Sequence, residues 1–196
     1  MKPRFEEALR RFDKVHQQDP RKILLGKHET SWSLLYHERL THWVNHLQPE
    51  ASEGLRLAAR CQHIQRWHIP RNSYPMNRTG YKRWRKDLAK FHSDLAERIL
   101  HDVGYPPETI IRVQVLLRKI QLKRDPEVQL FEDAICLVFL ENELSDFAHK
   151  HEKEKLIGVL KKTWQKMSPE GHRAALKLAD DLPAELRELL NTSLSS

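Results

Sequence analysis

Three side chains on three separate helical segments could do chemistry together: His63 in AARCQHIQRW, His92 in KFHSDLAERIL, and Asp133 inside the apolar stretch Val128 to Phe147. A carboxylate in the middle of an apolar helix is costly to bury unless it is paired or bound to a metal. Asp133 therefore reads either as half of a buried ion pair with an arginine or as a metal ligand or catalytic group. Taken singly, each histidine is a hydrogen-bonded core or boundary residue. Taken together, two imidazoles and a carboxylate suit a divalent transition metal, which could lower the pKa of a bound water and generate hydroxide near neutral pH. His37, in LLYHERLTHWV, is a possible fourth metal ligand, with Glu38 and His42 as competitors. Glu132, about 100° around the helix from Asp133, is a candidate catalytic proton acceptor.

Around this candidate centre runs IPRNSYPMNRTGYKRWRKDLAKF, where arginines alternate with aromatic rings. Arg71, Arg78 and Arg85 offer forked donors to phosphate, and Tyr74, Tyr81 and Trp84 offer faces for a base or sugar. Lys119 can add a contact from a second basic stretch. The charge is regional. Residues 60 to 90 hold nine lysines and arginines against Asp87 alone, and residues 111 to 124 hold five against no acid, within a chain of net charge +7. Such concentration implies an anionic partner, a nucleotide or other phosphorylated small molecule, with single-stranded RNA also possible.

Helices must position these groups, because nearly every segment repeats its apolar residues with helical period. The expected helices cover about Pro3 to Gln17, Ser31 or Ser33 to Leu47, Ser52 to Trp67, Gly80 to His101, Pro106 to Ile120, Val128 to Phe147, Lys150 to Lys166, Pro169 to Leu178 and Pro183 to Leu190. Asp19 to Glu29 reads as a polar loop, and His68 to Thr79, with two prolines, as a loop between helices. No strand is expected. The fold class is all-α: one compact helical domain of about eight or nine helices over residues 1–196. Its core spans about 31–168, with a helical extension over 169–190 and a flexible tail over 191–196.

Composition excludes several classes. No apolar run reaches the roughly 18 residues of a membrane span, and Met1 to Arg11 lacks the apolar core of a secretory signal, so a cytoplasmic location is expected. Cys61 and Cys136 are the only cysteines and form no CxxC, which leaves no disulfide framework or cysteine-based zinc module. There is no Walker loop, dinucleotide-binding glycine pattern, HExxH or serine-hydrolase elbow.

The blocks LRLAARCQHIQRWHIPRNSYP, GYKRWRKDLAKFH, DPEVQLFEDAICLVFLE and KTWQKMS closely resemble the family called domain of unknown function 4202, over about Leu34 to Ser168. That family is in turn remotely similar to the all-helical HD-domain metal-dependent phosphohydrolases. The resemblance implies an HD-like core. His37 would stand at the first ligand position, Gln62 and His63 at the His-Asp pair, Asp133 at the final aspartate, and His92 at the additional histidine of some members. The expected function is a metal-dependent phosphohydrolase acting on a nucleotide or small phosphorylated metabolite. The alternative is a non-catalytic helical module that binds RNA or a phosphorylated ligand.

Overall fold

A computed structural model of the chain describes residues 3–194. The fold is predominantly helical, as expected, with ten α-helices and one two-stranded hairpin among the described residues. The chain divides into two compact units, Met1–Ile120 and Gln121–Ser196.

In the first unit α1 (Pro3–His16) begins at a proline, as its fixed φ favours. It buries Phe5, Ala8 and Phe12 at the spacing of one helical face. The expected loop after it contains a correction. Residues 22–31 form an antiparallel hairpin of β1 (Lys22–Leu25) and β2 (His28–Ser31), in which Leu25 faces His28. Gly26 takes a positive φ of 60° at the first position of the two-residue turn, where glycine meets no Cβ penalty. The hairpin escapes detection because its strands are only four residues long and alternate poorly, with Leu24 and Leu25 exposed.

Ser31 then caps α2 (Trp32–Leu47): its hydroxyl accepts from the Leu34 N–H and donates to the His16 carbonyl. Ser52 caps α3 (Glu53–Cys61), which packs on α2 and buries Leu55, Leu57, Ala58 and Ala59. This helix ends six residues before the expected Trp67. Two 3-10 turns follow, Arg66–His68 and Arg71–Ser73, and Asn77 caps the 25-residue α4 (Arg78–Asp102). Glycine is required near its start, since a Cβ on Gly80 would lie 2.1 Å from the Pro75 carbonyl oxygen. α5 (Pro107–Leu117) packs on α3 and α4. It closes with Lys119 at φ 54°, its N–H and that of Ile120 returning to the Leu116 and Val115 carbonyls. Glycine is the usual residue at that left-handed position.

The second unit contains α6 (Pro126–Asn142), α7 (Leu144–His149), α8 (Lys153–Lys166), α9 (Pro169–Ala179) and α10 (Ala184–Leu194). The expected single helix to Phe147 is broken at Glu143, whose N–H still closes on Phe139 while the chain turns into α7. The helix count therefore exceeds the eight or nine expected. The expected tail begins at Asn191, but α10 carries the backbone to Leu194; residues 195 and 196 lie outside the described ones. Among the described residues no helix is long and apolar enough to cross a membrane.

Candidate phosphate-binding cleft

The first unit brings His37, His63 and His92 into one region, and buried polar partners dictate what each ring can do. His37 is fully buried on α2. Its Nδ1–H donates to the Ser33 carbonyl at 2.6 Å, and its Nε2 accepts the backbone N–H of His63 at 3.0 Å. These two bonds fix a neutral tautomer and use both nitrogens. Burial, followed by the neighbouring His16, pushes its pKa well below the ordinary imidazole value. His16 stacks on it with centroids 3.8 Å apart, and is satisfied in the same way by the Ser33 hydroxyl and the Arg60 carbonyl. Neither ring has a lone pair left for a metal.

The bond from His63 to His37 explains the early end of α3. In a continuing helix the His63 N–H would return to the carbonyl four residues back. Here it is diverted to an imidazole, the chain loosens into turns, and Gln65 adopts a left-handed φ of 51°. This bend presents the Nδ1 edge of His63. The ring lies against Tyr36 on one side, with centroids 5.3 Å apart, and its centroid is 5.7 Å from that of His92. His92, 3% exposed, donates its Nδ1–H to the Ile64 carbonyl at 2.7 Å. His63 Nδ1 and His92 Nε2 are both buried and have no hydrogen-bond partner.

His63 and His92 line a cleft of about 30 Å³ together with Gln62, Arg66, Arg85 and Lys119. A cavity needs only about 10–15 Å³ to hold one water, so the cleft admits the tip of a small polar group. Arg66 is largely buried and lies 4.8 Å over the Trp84 ring. Among the described residues it has no carboxylate partner. Burial and then the nearby Arg85 pull its pKa down to about 10. Burial first, then Arg66, push His63 well below its usual value; burial likewise holds His92 at about 3, against the opposing bond to Ile64. At neutral pH the cleft combines two uncharged imidazoles with three cationic side chains and no lining carboxylate. The Gln62 oxygen accepts from the Tyr36 hydroxyl at 2.6 Å, which leaves its amide N–H groups as donors.

The other expected site residues have separate occupations. Asp133 belongs to the second unit. There its Oδ1 accepts from the Ser168 N–H at 2.8 Å and the Gln129 amide at 3.0 Å, and its Oδ2 accepts from the Ser168 hydroxyl at 2.6 Å. The expected arginine partner is replaced by the N-terminus of α9, where a carboxylate also complements the helix dipole. Buried Glu132 pairs with Lys166 at 3.6 Å. Arg71 spends its guanidinium on the carbonyls of Tyr74, Pro75 and Asn77, holding the loop before α4. Tyr74 donates to Asp87, and Trp84 donates to the Ile69 carbonyl. Arg78 and Tyr81 are exposed. Arg85 and Lys119 are the two expected phosphate ligands that line the cleft.

Arg66 was not among the expected site residues, although its position three after His63 on a helical turn was a usable signal. Nothing local pointed to Tyr36 as the anchor of Gln62, because that contact joins residues 26 apart. Of the expected metal donors, His63 and His92 each keep a ring nitrogen without a partner, whereas His37 and Asp133 do not. Both nitrogens of His37 and both oxygens of Asp133 are engaged, and among the described residues no group of three or more His, Cys, Asp or Glu could hold a metal ion.

Comparison with curated proteins and with solved structures gives no match. The family described as Domain of unknown function (DUF4202) matches residues 6–190, and the chain belongs to that family.

Proposed function

We propose that this protein binds a phosphorylated ligand, with the phosphate seated in the cleft of the first unit. The observation that carries this reading is Arg66, a largely buried guanidinium with no carboxylate partner among the described residues. It lines one cleft with Arg85, Lys119 and the two histidines whose His63 Nδ1 and His92 Nε2 are buried without a partner. A buried charge without a partner is costly, and an incoming oxyanion would supply that partner. Arginine matches phosphate with its paired donors.

The test is a calorimetric titration of the full chain with inorganic phosphate, repeated with Arg66→Met. Saturable binding should weaken about tenfold or more in the variant, the scale of one charge-assisted hydrogen-bond pair. A wild-type protein that shows no saturable binding at millimolar phosphate would refute the proposal.

A metal-dependent phosphohydrolase with an HD-like core is the second reading, and one observation favours it. His92 donates Nδ1–H to a backbone carbonyl and turns Nε2 inward, the arrangement that commonly orients a metal-bound histidine. Against it stand the three cationic side chains on the same cleft, which repel a metal ion as they attract an anion. Metal analysis of untagged protein, compared with His92→Ala, separates the two readings: the hydrolase requires a stoichiometric metal that the variant loses.

A further inference from the structure

The cleft contains a group that simple anion binding does not use. A site made only to attract negative charge would line its interior with hydrogen-bond donors. His92 does the opposite. Its Nδ1–H is committed to the Ile64 carbonyl at 2.7 Å, so the neutral ring of this lining residue keeps a lone pair on Nε2, a buried acceptor without a partner. The charged form of the ring is disfavoured by its burial and by Arg66 and Arg85 beside it. Of the other groups at the cleft, Arg66, Arg85, Lys119 and the Gln62 amide are donors, and His63, whose ring is held in neither tautomer by a hydrogen bond, can carry its proton on Nδ1 and donate as well.

We infer that the ligand is an oxyanion carrying its own proton, hydrogen phosphate or a monoprotonated phosphomonoester, whose P–O–H donates to His92 Nε2 while Arg66, Arg85 and Lys119 receive the charged oxygens. This inference rests on the phosphate-binding reading and narrows it. A tetrahedral anion without a proton would press an oxygen lone pair against that of Nε2, and a buried acceptor left facing another acceptor costs binding. An internal phosphodiester is disfavoured twice over. It has no proton to keep, whereas a monoester holds one up to a second pKa of about 6, and its two ester arms must leave a cleft of about 30 Å³ in different directions. The site therefore fits a terminal phosphate and not the backbone of an RNA chain.

Sulfate is the decisive probe. At roughly pH 8, where imidazoles of ordinary pKa are neutral, inorganic phosphate is mainly the hydrogen phosphate dianion, which matches sulfate in shape and charge and differs by one O–H. The full-length protein should bind phosphate at least about tenfold more tightly than sulfate, the lower end expected for one unmatched buried acceptor. His92→Asn retains a side-chain donor for the Ile64 carbonyl and deletes Nε2; in that variant the two affinities should converge while anion binding persists. In the wild-type protein, ¹⁵N resonances of the His92 ring give a readout that needs no variant: phosphate should displace the Nε2 signal and sulfate should not. Equal binding of the two anions would overturn the shared proton and leave the anion site standing. A phosphate preference that survives in His92→Asn would also overturn the role given to His92. Binding of neither anion would remove the underlying reading as well.

Discussion

Replacing Asp133 separates a structural carboxylate from a chemical one. In the second unit this side chain, 3% exposed, accepts three hydrogen bonds: two from Ser168 and one from Gln129. In Asp133→Ala the Gln129 amide keeps its second acceptor, the Lys166 carbonyl at 2.9 Å. The N–H and O–H of Ser168 lose their shared partner. Two donors stripped of a buried carboxylate, at about 1–3 kcal/mol each with partial recovery from water, amount to roughly 3 kcal/mol. The carboxyl group also packs against Gly171, where a Cβ would lie 2.7 Å from Asp133 Cγ, so its removal opens space at the start of α9. Asp133→Asn keeps one carbonyl acceptor for the Ser168 N–H and should cost about 1 kcal/mol. Urea denaturation followed by far-ultraviolet circular dichroism gives the stabilities, and hydrogen exchange over residues 169–179 should localise the loss to α9. Phosphate affinity should be unchanged in both variants. Wild-type stability in Asp133→Ala, or lost phosphate binding with stability retained, would refute this assignment and restore Asp133 as a ligand.

Acid should destabilise the first unit before most carboxylates titrate. His16 is fully buried with both nitrogens bonded in the neutral form, and burial lowers its pKa to about 4, from an ordinary value near 6.5. Between these values the unfolded chain binds the proton and the folded one does not, so stability falls as pH drops through 6.5 and levels off below about 4. That one residue contributes on the order of 3 kcal/mol, and His37, His63 and His92 shift in the same direction. A urea midpoint unchanged between about pH 7 and pH 4.5 would contradict this origin. His37→Phe should keep the ring stack on His16 while stranding the buried His63 N–H, at about 1–3 kcal/mol, and should weaken phosphate binding because His63 is no longer held; thermal denaturation and phosphate titration check the two effects.

Elements whose ends are written in local chemistry were legible in the sequence. Ser31, Ser52 and Pro107 start helices where capping and proline rules place them. The hairpin over residues 22–31 was not legible, because its short strands follow no clear alternation and are held by backbone pairing. The end of α3 was equally hidden. The apolar period runs on to Trp67, but a backbone N–H captured by His37 from 26 residues away breaks the ladder. For the site, the inward placement of His63 and His92 could be read from their apolar helical contexts. Whether a ring nitrogen remains available depends on a tertiary partner: His37 and His92 have comparable sequence contexts, yet one is fully consumed and the other keeps a lone pair. Asp133 shows the same limit, since its anomaly was visible while its partner, Ser168, stands 35 residues away.

Residues 62 and 63 connect the fold to the charge of the cleft. A pair of metal ligands there would have to project from a regular helix. Instead the bend after Cys61 separates their roles: Gln62 is anchored through its oxygen to Tyr36 and keeps its donors, while His63 is anchored through its backbone and turns its Nδ1 edge inward. Neither side chain brings negative charge, and Lys119, held at a left-handed φ, supplies one of the cleft's positive charges. The phosphorylated ligand proposed above would bring that negative charge. In the reading proposed here, the ligand answers the cationic side chains of the cleft with negative oxygens and the lone pair of His92 with a proton, the charge pattern of a singly protonated terminal phosphate.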